Sequence, residues 1–124
     1  MDITSREGIE PKAYCGRHIW RVMGADAPWG DDMSCGFARF TLADGNMKAH
    51  KHERELIYVI DAKGAKARFG AAQDKMDQQR ALHGGDLLRF GEDEWHIFEL
   101  ADEDAYLDIF WVFSVPQNHT VDAC

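Results

Sequence analysis

The chain has 124 residues, a length that fits one domain with a real core. Its 14 basic and 22 acidic residues leave a formal net charge of −8, the wrong sign for nucleic acid or an anionic membrane surface. Three cysteines with no Cys-x-x-Cys pair argue against a zinc finger or a disulfide framework.

The first residues, Met1-Asp2-Ile3-Thr4-Ser5-Arg6-Glu7, hold no apolar run, so no leader segment is expected. No stretch approaches the ~20 apolar residues of a membrane helix. A cytoplasmic location is the resulting expectation. Apolar residues then come in short runs without helical periodicity. Residues 17–22, 36–42, 55–60, 86–90, 96–100 and 106–113 each read as a strand. The runs Tyr58-Val59-Ile60 and Ile109-Phe110-Trp111-Val112-Phe113 carry the β-branched and aromatic residues that suit a pleated surface. Turn signals separate the runs, among them Asp44-Gly45-Asn46, Asp61-Ala62-Lys63-Gly64 and Gly84-Gly85-Asp86. The polar passage 70–82 reads as strand–loop–strand. The sum is an all-β antiparallel barrel or sandwich.

The chemistry concentrates in His50-Lys51-His52-Glu53-Arg54-Glu55. Alternate side chains of a strand share a face, so His50 and His52 can point to one spot. A turn near Glu53-Arg54 would return Glu55 toward them, and His96 opens a later strand. Three imidazoles and one carboxylate suit Fe, Mn, Ni, Co or catalytic Zn. Glu53 is the rival carboxylate, but on an unbroken strand it faces away from His52. A divalent ion with one carboxylate keeps about +1, which favours an anionic oxygen ligand.

These residues resemble the two cupin motifs. Gly45 through Glu55, with its His-x-His and Glu, is similar to the first motif. Gly85-Asp86-Leu87-Leu88-Arg89-Phe90-Gly91-Glu92-Asp93-Glu94-Trp95-His96 is similar to the second, which opens on Gly-Asp and closes on His. The resemblance implies a small single-domain cupin over 1–124, with a motif-bearing core at about 35–116 and an N-terminal arm at 1–14. The implied fold is the cupin-type antiparallel β-barrel, or jelly-roll sandwich. The implied site is one divalent transition metal on His50, His52, Glu55 and His96.

The implied function is a metal-dependent enzyme acting on a small oxygenated molecule: an enol, diketone, catechol or carboxylate. Dioxygenation comes first, with lyase or isomerase chemistry and non-catalytic ligand or metal binding as alternatives. Glu55-x-x-Tyr58 resembles the cupin lyases that cleave dimethylsulfoniopropionate, which makes Tyr58 a candidate base. Three steps along a plain strand change face, however, which points to outer packing instead. Phe98 shares parity with His96 and should line the cavity. Arg39 is a candidate clamp for a substrate carboxylate, or a solvated strand residue. Trp95 is a candidate rim residue, and Asp108 a pocket acid or an edge charge. Cys15 and Cys35 read as plain buried residues. The expected partners are a small, anionic-tolerant substrate and a second copy of the chain, with strand 106–113 as the candidate homodimer contact.

Overall fold

The computed structural model describes residues 1–51 and 54–113, so His52 and Glu53 lie outside the described residues. Among the described residues nine strands form: β1 (Lys12–Tyr14), β2 (Arg17–Met23), β3 (Ser34–Phe40), β4 (Glu55–Lys63), β5 (Ala65–Gly70), β6 (Gln78–Ala81), β7 (Leu87–Phe90), β8 (Trp95–Leu100) and β9 (Tyr106–Phe113). All pairings are antiparallel. A six-stranded sheet runs β1-β2-β3-β9-β4-β7, and a three-stranded sheet runs β6-β5-β8. The other regular elements of the described residues are two short 3-10 turns, Arg6–Gly8 and Leu42–Asp44. No helix among the described residues is long and apolar enough to cross a membrane. The all-β jelly-roll expectation therefore holds.

The two sheets share one core because each strand alternates its faces. On β4, Glu55, Ile57 and Val59 are buried, while Leu56, Tyr58 and Ile60 are exposed. Ile57 pairs with Trp111 and Val59 with Ile109 on β9, so apolar side chains meet in register. Phe98 and Ala67 from the smaller sheet complete the same cluster. Each large apolar side chain buried this way contributes about 1.5–3 kcal/mol.

The sequence-based strands match β2, β3, β4, β7, β8 and β9 to within a few residues. The passage at 70–82 resolves into the end of β5 and all of β6. Two strands escape the pattern. β1 is three residues long. β5 alternates Ala with Lys and Arg, residues depleted in strands, yet Ala65 and Ala67 are buried.

Strand β9 lies between β3 and β4, hydrogen-bonded on both sides. A contact between copies through 106–113 would therefore not be an edge-to-edge pairing. Only its face is left for contact.

Of the two cysteines read as plain buried residues, Cys35 keeps that reading and Cys15 departs from it. Cys35 is buried and free, and burial pushes its thiol up against the opposing hydrogen bond from Met23. Cys15 is half-buried and disulfide-bonded. An odd count forbids full pairing but permits one bridge.

Candidate metal and substrate site

His96 lies on β8, and alternation turns it inward with Phe98. It is 2% exposed. Its ring stacks on Phe90 with centroids 4.0 Å apart and planes at 11°, which fixes the imidazole plane. Glu55 opens β4, opposite Phe90 on one side and Phe113 on the other. It is 7% exposed, and its Oε1 lies 3.2 Å from His96 Nε2. A carboxylate in so apolar a setting needs a cationic or donor partner, and His96 is the one it faces.

His50 joins them through the backbone. His50 N–H donates to the His96 carbonyl and His96 N–H to the His50 carbonyl, both at 2.8 Å. The two ring centroids are 6.4 Å apart. His50, Glu55 and His96 line one cavity of about 50 Å³, walled by Phe40, Phe98, Trp111 and Phe113 among others. Strands of opposite sheets thus deliver the carboxylate and the imidazole to one cavity.

Two imidazoles and a buried carboxylate around one cavity are the donor types that non-haem iron and related sites use, so the residues fit a divalent transition metal by chemistry. Among the described residues no three His, Cys, Asp or Glu side chains stand close enough together to hold an ion. The fourth sequence candidate, His52, and its neighbour Glu53 fall outside the described residues.

The remaining candidates divide. Phe98 lines the cavity as expected. Tyr58 does not: it is 47% exposed on the outer face of β4, opposite Leu87 of β7. The three-step parity change carries it away from Glu55, which removes the geometric basis for a base there.

Arg39 also faces outward, because Ala38 and Phe40 hold the inner positions of β3. Its Nη1 donates to Asp108 Oδ2 at 2.7 Å, and Arg6 Nη1 donates to Asp108 Oδ1 at 3.2 Å. Asp108 is thus neither pocket acid nor edge charge. It anchors the N-terminal segment and β3 to β9. Asp108→Asn should lower stability by about 1–2 kcal/mol, read from the urea midpoint, since both arginines are partly hydrated. An unchanged midpoint would show the cluster to be energetically idle. Trp95 points to the other face of β8, where the Lys51 ammonium lies 5.6 Å from its ring.

Two cavity residues escape the sequence pattern. Arg17 and Arg21 line the space beside Glu55 and His96. Their signal is parity with Ile19, a core residue of the same strand. Hydropathy hides it, because charged side chains are expected to face water.

No family profile matches the chain, and no curated protein matches it. Solved structures do. The Fe(II) form of HppE superposes with a TM-score of 0.64 at 14% identity, over 90% of this chain and 59% of that one. Oxalate decarboxylase of Lactobacillus farciminis gives 0.66 at 17% identity, over 90% of this chain and 32% of that one. Ectoine synthase from P. lautus gives 0.66 at 12% identity, over 95% and 80%. The chain spans about three fifths of the HppE chain and a third of the decarboxylase. Likeness at this identity speaks for architecture, and with the two facing antiparallel sheets it identifies the chain as a cupin-fold protein.

Proposed function

We propose that the chain is a metal-dependent cupin enzyme acting on a small oxygenated molecule, and that His50, Glu55 and His96, together with His52, hold its metal. The observation that carries this reading is the buried contact of Glu55 with His96 at 3.2 Å, in a cavity that His50 also lines. Oxygenation is the first reaction class, because a donor set of three histidines and one carboxylate is all nitrogen and oxygen and leaves positions open on redox iron or manganese. Lyase or isomerase chemistry is the second. The neighbours' names span several chemistries on one architecture, so the fold does not choose among them.

Bound there, a divalent ion would polarise a substrate oxygen as a Lewis acid. The chain's own residues do the rest. The Phe90 stack and the Glu55 contact hold the His96 ring in one orientation. Phe40, Phe98, Trp111 and Phe113 give the cavity apolar walls, which strengthen charge interactions beside them. The test is elemental analysis of protein purified without chelator, followed by oxygen uptake against diketones, catechols and small carboxylates. One equivalent of metal with substrate-dependent uptake is expected. A chain that takes up no Fe, Mn, Ni, Co or Zn on titration would overturn the reading. Metal without turnover of any kind would leave a binding module.

The proposal assigns Tyr58 a packing role. Leu56, Tyr58, Ile60 and Leu87 form an exposed apolar face on β4 and β7, suited to a two-fold contact between copies. Tyr58→Lys combined with Ile60→Lys should convert a dimer to a monomer by light scattering, with metal content unchanged. A wild-type monomer at micromolar concentration would refute the contact.

A further inference from the structure

The cavity that His50, Glu55 and His96 line measures about 50 Å³. That is well below the ~150 Å³ that admits a benzene ring, and below the ~300–1,000 Å³ of an ordinary ligand site. A substrate can place a reacting head there and little more. A groove of about 690 Å³ adjoins it, and Phe40, Met47 and Phe98 line both spaces. Sheet order explains the groove. β8 is an edge strand of the three-stranded sheet, and among the described residues its outer side pairs with residue 50 alone. Past Phe98, residues 41–47 run beside β8 as the opposite wall instead of pairing with it. Leu42, Ile97 and Leu100 make the walls apolar. The two charged side chains that line the groove, Lys66 and Glu99, lie 3.7 Å apart and offset each other. Met47 stands at the junction of groove and cavity. Its backbone is held against Gly16, where an added Cβ would lie 2.8 Å from Met47 N. Gly16 is itself fixed by donating to the Asp44 carbonyl at 2.7 Å. The part of Met47 left to adjust is its unbranched side chain.

We propose that the substrate is a linear molecule larger than the cavity, with a narrow oxygen-bearing head and an uncharged apolar body. The head enters the cavity past Met47, and the body lies in the groove between β8 and residues 41–47. Two selectivities follow. Affinity grows with the length of the body, by about fourfold for each methylene fully buried. Branching next to the head is rejected at Met47, because the passage there is narrow. The substrate class given above thus contracts to linear enols, diketones and carboxylates, and a catechol ring is excluded from the cavity by its size. This deepens the function proposed above and rests on that reading for the cavity being the substrate site, but the groove itself requires no metal.

Butyrate and octanoate share a head and differ in body, so they probe the groove directly. Their affinities are measured by calorimetry on the full chain, once stripped by chelator and once loaded with Fe(II). Octanoate should bind at least about tenfold more tightly than butyrate in both forms. Ala101 and Asn46 are exposed and line the groove from β8's end and from the 41–47 wall. Ala101→Trp and Asn46→Trp should each remove most of the preference, with metal content unchanged. The branched isomer 2-propylpentanoate should bind about tenfold more weakly than octanoate, and Met47→Ala, checked for folding by circular dichroism, should narrow that gap. Equal binding of butyrate and octanoate to the wild type would overturn the proposal. A preference surviving in full in both tryptophan variants would overturn it too, as apolar adsorption elsewhere. Equal binding of octanoate and its branched isomer would overturn the role of Met47. Metal uptake without a length preference would overturn the groove and leave the metal reading intact. A length preference lost in the tryptophan variants, in protein that takes up no metal, would support the groove and overturn the metal reading.

Discussion

Replacing His96 by alanine should leave a chain that no longer holds its metal, with affinity lowered by more than about 100-fold. Three roles converge on this ring. Its Nε2 meets Glu55 at 3.2 Å, its plane rests on Phe90, and its backbone ties the His50 segment to β8. The backbone bridge survives the substitution, so His50 should stay near its place. What is lost is a nitrogen donor and the partner of a buried carboxylate. A buried carboxylate that loses the ring it faces costs about 1–3 kcal/mol. The metal-free variant should therefore be less stable than the metal-free wild type. Adding Glu55→Gln should restore part of that difference, because it removes the stranded charge. Elemental analysis and calorimetric titration read the first effect, and urea unfolding of the double variant reads the second. From the sequence pattern alone, His52→Ala should also lose most of the metal. A full equivalent retained in both His96→Ala and His52→Ala would refute the site.

How far the site could be read from the chain depends on how each residue announces itself. Glu55, His96 and Phe98 stand at the inward parity of strands whose apolar neighbours mark the same face, so period-two reasoning reaches them. The same reasoning turns Tyr58 outward, because Ile57 and Val59 hold the inner positions. Arg39 is the informative failure. Its flanking residues Ala38 and Phe40 occupy the inner face, so the alternation points it away from the cavity and leaves a carboxylate clamp no geometry there. Arg17 and Arg21 fail in the opposite sense. Their parity is inward, but a charged residue at an inward position contradicts the hydropathy rule by which inner faces are recognised. Such local contradictions are expected where function overrides packing. Strand order is a different kind of gap. That β9 inserts between β3 and β4 depends on pairings distant in sequence, which no local pattern encodes.

The second large effect links this sheet order to the cavity. Gly36→Val should destabilise the chain by more than about 3 kcal/mol, at the upper end of what overpacking costs. Gly36 is an interior position of β3, opposite Arg21 on β2 and Trp111 on β9. A Cβ added there would sit 2.5 Å from the Trp20 carbonyl oxygen, 3.0 Å from Arg21 Cα and 3.2 Å from Trp111 Cζ2. Two of these are backbone atoms, held by the sheet, and cannot swing aside as a flexible side chain would. The register of β2 also shifts between Arg21 and Met23, so the strand is already irregular at this point. Relief requires β2 to move away from β3, or Trp111 to tilt toward the cavity. Either shift changes the spacing between Arg21 and the Trp111 ring. Gly36→Ala is the graded control and should cost about 1–3 kcal/mol. Urea midpoints for both variants test the packing claim, and an alanine variant as stable as the wild type would refute it. Because the glycine touches neither Glu55 nor His96 in register, metal content in the folded fraction of Gly36→Ala should stay near the wild-type value. Loss of metal there would show instead that the β2–β3 spacing is transmitted to the far side of the cavity.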